Sequence, residues 1–154
     1  YNFLKEVFSL NRKDLVDCDV FMKENSILDL GNNVIDITGN LYVGKNCCVK
    51  SGIFVGGDVI LEDGADVLYI CANGNVEIGN FSDTQNIYSG KSVSIGNYTF
   101  TNNIYAKDDV FIGYQTYSEV IAYGGDIFVE EHVSSLKELF IQLFFRMKCW
   151  LHHF

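Results

Sequence analysis

The apolar positions of this chain recur with a period of about 17 residues. The pair Val93/Ile95 returns as Val76/Ile78 before it and as Val110/Ile112 and Ile127/Val129 after it, each one period away. Val59/Leu61 lies one period further back, and Leu41/Val43 precedes that by a step one position longer. A second column, Ile53, Ile70, Ile87, Ile104 and Ile121, keeps the same spacing, with Ile35 one position out of step. A third column carries small side chains: Ala65, Ser82, Thr99, Thr116 and Val133, with Cys47 in that place at the first full coil. Within each pair the two apolar residues flank one outward residue, which is the period of a strand buried on one face.

The repeat is clearest where "NIYSGKSVSIGNYTFTN" (86–102) is followed at once by "NIYAKDDVFIGYQTYSE" (103–119), with 7 of 17 positions identical. Short strands at this period predict an all-β fold, a single-stranded parallel β-solenoid with three sides and about 17 residues per coil. At about 4.8 Å per coil, six coils give a body about 29 Å long. Gly44, Gly79, Gly96 and Gly113, with Glu62 and Glu130 in the same column, mark the bend after the first strand. Glycine is read there as supplying the corner dihedrals, and the two glutamates place the bend in water.

The ends carry a different rhythm. Phe3, Leu4, Val7 and Phe8 fall at helical spacing, so a short helix is expected at the start. From Ser134 the repeat stops, and Leu136, Leu139, Phe140, Leu143, Phe144, Met147, Trp150, Leu151 and Phe154 follow one face of an amphipathic helix, with Ser134 or Ser135 as its N-cap. The expected organisation is therefore a helix and lead-in coil over 1–33, the β-solenoid over 34–133 and a C-terminal helix over 134–154.

Composition narrows the function. The formal charge of −9 repels phosphate backbones and argues against a nucleic-acid partner. The five cysteines, at 18, 47, 48, 71 and 149, are an odd number without framework spacing, and the adjacent pair would point to opposite faces of a strand. Reduced thiols in a cytoplasmic protein are expected. No apolar run reaches the roughly 18 residues of a spanning helix, and no signal segment is read at the start. The absence of proline suits paired strands, which need every N–H.

Local motifs add little chemistry. "SGIFVGGDV" (51–59) has the glycine spacing of a phosphate loop but Asp58 where a lysine is needed, and reads as a solenoid corner. Asn80-Phe81-Ser82 and Asn97-Tyr98-Thr99 match glycosylation acceptors but lie one period apart, as products of the repeat. Cys149, His152 and His153 have metal-ligand spacing without a second half-site, and Glu131-His132 is an isolated pair. No metal, cofactor or catalytic residue is assigned. Outward aromatics form columns: Phe54, Tyr88 and Tyr105 in one, Tyr42, Phe111 and Phe128 (with Ile60) in another, and Phe81 and Tyr98 in a third. They are read either as stacking between coils or as a binding face.

Two resemblances bear on function. "IGNYTF" and its equivalents at 61–66, 78–83, 112–117 and 129–134 resemble the hexapeptide of left-handed β-helix acyltransferases. Those enzymes carry the hexad on all three sides, whereas this chain carries it on one. Acyl transfer also wants a histidine base, and residues 34–130 contain no His. Over 34–130 the chain resembles the bactofilins through "GNLYV" (39–43), "GDVILEDGADV" (57–67), "GNVEI" (74–78) and "GDIFV" (125–129). That resemblance implies a right-handed coil and a non-enzymatic, polymer-forming cytoskeletal protein whose rods stack end to end without nucleotide, close to the inner membrane. It makes the protein its own partner, through end-coil residues Leu41, Val43, Ile127 and Val129. The C-terminal helix departs from the family pattern. It gives the rival expectation of a capped solenoid that binds a partner protein or a membrane surface through that helix.

Overall fold

The computed structural model describes residues 12–31, 33–130, 138–139 and 149–151. They form a parallel β-solenoid in which every strand pairs with its equivalents one coil away. Each coil has a short strand and a longer one. The short strands are β2 (Val20–Met22), β5 (Leu41–Val43), β7 (Val59–Leu61), β9 (Val76–Ile78), β11 (Val93–Ile95), β13 (Val110–Ile112), β15 (Ile127–Val129) and β17 (Cys149–Leu151). They stack in that order as one 8-stranded sheet. The second sheet contains β1 (Arg12–Val16), β4 (Val34–Ile37), β6 (Cys48–Val55), β8 (Asp66–Ala72), β10 (Asp83–Ser89), β12 (Phe100–Ala106), β14 (Tyr117–Tyr123) and β16 (Glu138–Leu139), with β3 (Ile27–Leu28) also on β6.

The long strands are interrupted ladders. Pairing runs through Asp83 and Thr84, skips Gln85, and resumes at Asn86. The expected three segments per coil therefore occur as one separate strand and one strand broken after its second residue. No helix occurs among the described residues, and the expected helix around Phe3 and Phe8 lies outside them. The expected helix over 134–154 lies outside them too, except for β16 and β17, whose backbones pair with β14 and β15.

The register is the one the repeat predicts. Ile53, Ile70, Ile87, Ile104 and Ile121 are direct partners in turn, as are Val59, Val76, Val93, Val110 and Ile127. The irregular steps have local causes. Between Val49 and Gly52, β6 uses two residues where β8 uses one, so the longer step seen there in the sequence is a bulge. The extra Ser51 is buried, and its Oγ accepts a hydrogen bond from the Leu30 N–H at 2.8 Å. The chain over 12–28 also belongs to the stack, because β1 lies on β4 and β2 on β5.

The interior changes character along the rod. The coil holding Ile53, Val55, Val59, Leu61, Ala65 and Val67 buries only apolar side chains at these inward positions. Two coils on, the same six positions are Ile87, Ser89, Val93, Ile95, Thr99 and Thr101, also buried. Corner hydroxyls bond to the backbone: Thr116 Oγ1 donates to the Gly96 carbonyl at 2.8 Å, and Ser89 Oγ to the Gly74 carbonyl at 2.7 Å. The column continuing Val49 and Val67 as Thr84, Thr101 and Ser118 has no such outlet. Its three hydroxyl oxygens are buried without a hydrogen-bond partner among the described residues.

The corner glycines act differently from expectation. Gly79, Gly96 and Gly113 are not in the left-handed region; that conformation falls two residues later, at Asn25, Asn46, Gly64, Phe81, Tyr98 and Gln115. What favours glycine there is close approach between coils, although Glu62 and Glu130 fill the same column. A Cβ on Gly79 would lie 2.6 Å from the backbone of Glu62 and Asp63, and one on Gly96 would lie 2.7 Å from the Gly79 carbonyl carbon. Glu62 and Glu130, in the same column, are exposed as expected.

Candidate interaction surfaces

A solenoid offers a partner three things: its ends, its outward strand faces and its corners. At the N-terminal side, Leu41 and Val43 are not terminal. Val20 and Met22 of β2 pair directly over them, and both leucine and valine are fully buried. Ile127 is also an interior residue, while Val129 is half-buried at the far side of the core. The repeat alone puts the N-terminal end one coil too far in, because the first coil is longer than the period and sets Val20 out of phase with Leu41. Of the terminal-helix residues, Leu136, Phe140, Leu143, Phe144 and Met147 lie outside the described residues. Leu139, Trp150 and Leu151 fall in β16 and β17.

The outward aromatics separate into two kinds. Most are stacks that join consecutive coils: Phe21 on Tyr42 (4.7 Å between centroids), Phe81 on Tyr98 (5.1 Å), Phe100 on Tyr117 (4.8 Å) and Phe111 on Phe128 (4.8 Å), all within 7° of parallel. Rings stacked this way spend their faces on each other and present edges to solvent. Tyr114 adds an edge contact to Tyr98. This geometry favours coil-to-coil cohesion as the role of Tyr42, Phe111 and Phe128. The other column behaves differently. Phe54, expected to be exposed, is only 7% exposed and forms a second apolar cluster with Val34 and Cys71, against which Tyr69 and Tyr88 pack. Tyr105, further along the same column, is 40% exposed.

Two polar ladders staple the corners, of which the sequence pattern shows only the glycines. In one, each side chain accepts the backbone N–H of its equivalent in the next coil: Asp19 from Asn40, Asn40 from Asp58, Asp58 from Asn75, Asn75 from Ser92, Ser92 from Asp109 and Asp109 from Asp126, at 2.7–3.3 Å. The other runs through Asp63, Asn80 and Asn97 to the Tyr114 N–H, at 2.8 Å for each step. Asn103 Nδ2 donates to Asn86 Oδ1 at 2.6 Å on the strand face. Asn40, Asp58 and Asn75, which follow glycine in the "GN" and "GD" phrases, are thus structural acceptors. The signal is the residue type itself, short enough to reach a neighbouring N–H.

Reactive groups are few. Asp66 and Asp83 are direct partners on the outward face. Burial first, and then the Asp66 charge, push the Asp83 carboxyl above the usual carboxylate range. Cys48 Sγ lies 3.7 Å from Asp66 Oδ2. Burial chiefly, with the Asp66 charge and this hydrogen bond behind it, raises its thiol, which makes Cys48 a poor nucleophile at neutral pH. Cys47 points inward and donates to the Lys23 carbonyl at 3.0 Å, so the adjacent cysteines occupy opposite faces as expected. Among the described residues no group of three or more His, Cys, Asp or Glu could hold a metal ion. No helix there is long and apolar enough to cross a membrane.

Set against known proteins, the chain finds no match: no family model, no curated protein and no solved structure is similar to it. What is established is therefore the all-β parallel solenoid with its regular coil and its ladders.

Proposed function

We propose that this is a non-enzymatic structural protein of bactofilin type that assembles with itself end to end. The observation that carries the reading is the in-register parallel ladder, in which Val59, Val76, Val93, Val110 and Ile127 stack without a slip. Each coil is built to sit on a near copy of itself, so a second molecule could continue the same ladder with the same contacts. The composition supports a reducing, cytoplasmic setting and a protein rather than a nucleic-acid partner. The bactofilin resemblance adds the right-handed coil to this reading.

Negative-stain electron microscopy of the full chain tests it directly. Filaments or multiples of one rod length are expected, and single short rods at high protein concentration would overturn it. A charge at Ile127 would disrupt the interior it fills. Phe21→Lys, on the outermost described short strand, where the ring is 72% exposed, is the better disruptor of assembly in a folded protein.

A second reading has its own observation. Glu138–Leu139 and Cys149–Leu151 pair on β14 and β15, so the chain itself continues both sheets past Val129. In that reading the C-terminal segment caps the solenoid, and a side face or the segment itself recruits a partner protein or a membrane surface. Truncation after Ser134 separates the two readings. Rods that polymerise only when truncated identify a cap, whereas unchanged assembly with lost vesicle binding identifies an anchor.

A further inference from the structure

One corner of the rod carries aromatic side chains where its backbone disfavours them. The left-handed position after each short strand is Asn25, Asn46 and Gly64 in the earlier coils, residue types suited to it. In the next two coils it is Phe81 (φ 56°) and Tyr98 (φ 55°), bulky rings that strain that conformation. Burial does not offset the strain, since Phe81 is 66% exposed and Tyr98 48%. The two rings lie parallel, 5.1 Å apart, so Tyr98 covers one face of Phe81. The opposite face looks toward the preceding coil, where the equivalent residue is Gly64 and has no side chain to cover it. Phe100, two residues after Tyr98, extends the aromatic surface and is 43% exposed.

Carboxylates border this surface. Asp66, Asp83 and Phe100 are successive partners in one outward column, and all three are exposed. Glu62 is exposed on the coil of Gly64. The corner segments 62–66, 79–83, 96–100 and 113–117 contain four acidic residues and no Lys or Arg, and Lys45 stands one coil before them. An arginine side chain complements both features, because its guanidinium stacks on an aromatic face and pairs with carboxylates. We propose that this corner docks an extended, arginine-bearing segment of a partner protein. One guanidinium stacks on the open face of Phe81, in the space left by Gly64 and beside Asp66 and Asp83. The same carboxylates repel anionic headgroups, which argues against a membrane as the partner of these exposed rings. The site lies on the side of the rod and is independent of assembly through its ends.

Fluorescence polarisation of the full chain with a labelled peptide of alternating Arg and Ser, at about 0.15 M salt, tests the proposal. Phe81→Asn keeps the net charge and puts at the corner the residue type found there at Asn25 and Asn46. It should weaken binding at least about fivefold, and a peptide with Lys for Arg should bind the parent chain severalfold more weakly. Asp83→Asn should weaken binding about two- to threefold. Glu77→Gln removes the same charge from the exposed side of a short strand and should leave binding unchanged. Equal binding by the parent and Phe81→Asn, or equal losses with Asp83→Asn and Glu77→Gln, would overturn the proposal in favour of nonspecific attraction to the net charge. No binding by the parent chain would overturn it outright. Phosphatidylserine vesicles should not bind, and vesicle binding that is lost with Phe81→Asn would assign the corner to a membrane instead.

Discussion

The coils before Ala72 and those after it are built on the same plan with different materials. The first two steps, Val20 to Leu41 and Leu41 to Val59, are longer than those that follow, yet these coils fill most inward positions with Val, Ile and Leu. They also place Asn25, Asn46 and Gly64 at the left-handed corner, residue types that tolerate it. The later ones keep a strict, constant step but bury Thr84, Thr101 and Ser118 unpaired, and put Phe81, Tyr98 and Gln115 in the left-handed region. Each such corner costs about 1–2 kcal/mol for a residue with a Cβ. Compensation lies outside the core, where the ring stacks of Phe81 on Tyr98, Phe100 on Tyr117 and Phe111 on Phe128, with the Asn86–Asn103 bond, join these later coils. Strict repetition is therefore no measure of strength. Both halves share one apolar core, and the regular half adds more outward stacking to it.

That contrast can be broken or sharpened by experiment. Because each coil touches only its neighbours, loss of one core residue should act regionally. Ile104→Ala should cost about 2–5 kcal/mol. Hydrogen exchange should show β10, β12 and β14 losing protection while β5, β7 and β8 keep theirs. Uniform loss across both halves would mean that the two are one cooperative unit.

Next in size, Thr84→Val with Thr101→Val should stabilise the fold by about 1 kcal/mol per site, seen as a higher denaturant midpoint, since each removes an unpaired buried hydroxyl at nearly constant volume. The mirror change Val67→Thr should lose a similar amount. At the corners, Gln115→Gly should gain about 0.5–1 kcal/mol in thermal melting, because it relieves a left-handed side chain that makes no ring stack. Gly64→Ala, in the equivalent place of the earlier half, should lose stability instead.

The smallest effect is electrostatic. The folded protein holds the Asp83 proton more tightly than the unfolded chain does, because burial and Asp66 raise its carboxyl. That coupling favours folding increasingly as pH falls toward the ordinary carboxylate range and opposes it at neutral pH. Asp83→Asn should accordingly stabilise by a few tenths of a kcal/mol at pH 7, the side chain being exposed and screened. The difference from the parent should disappear by about pH 3. A gain independent of pH would point to packing rather than charge.

Much of the fold was legible because a solenoid writes its contacts locally in the sequence. A residue and its stacked partner differ by one coil length, so Ile53, Ile70, Ile87 and Ile104 announce their own pairing. The bulge at Ser51 was visible only as one longer step. The role of the corner glycines was misread, because close approach of two backbones is a property of the stack and not of the residue. The register of the lead-in coil was not legible, because extra residues between Leu28 and Val34 put it out of phase with the repeat.

The sequence alone determined the coil, its period, its inward columns and the opposite faces of Cys47 and Cys48. Each follows from a two-residue alternation repeated every coil, which one dimension of information can carry. Only the tertiary structure decided which outward residues are covered. Phe54 and Tyr105 share a column and an orientation, yet Phe54 is buried in a cluster with Val34 and Cys71 while Tyr105 is exposed. Val34, Cys71 and Tyr69 differ in kind from the residues at the same places in later coils, so the constant spacing of the repeat does not record this burial.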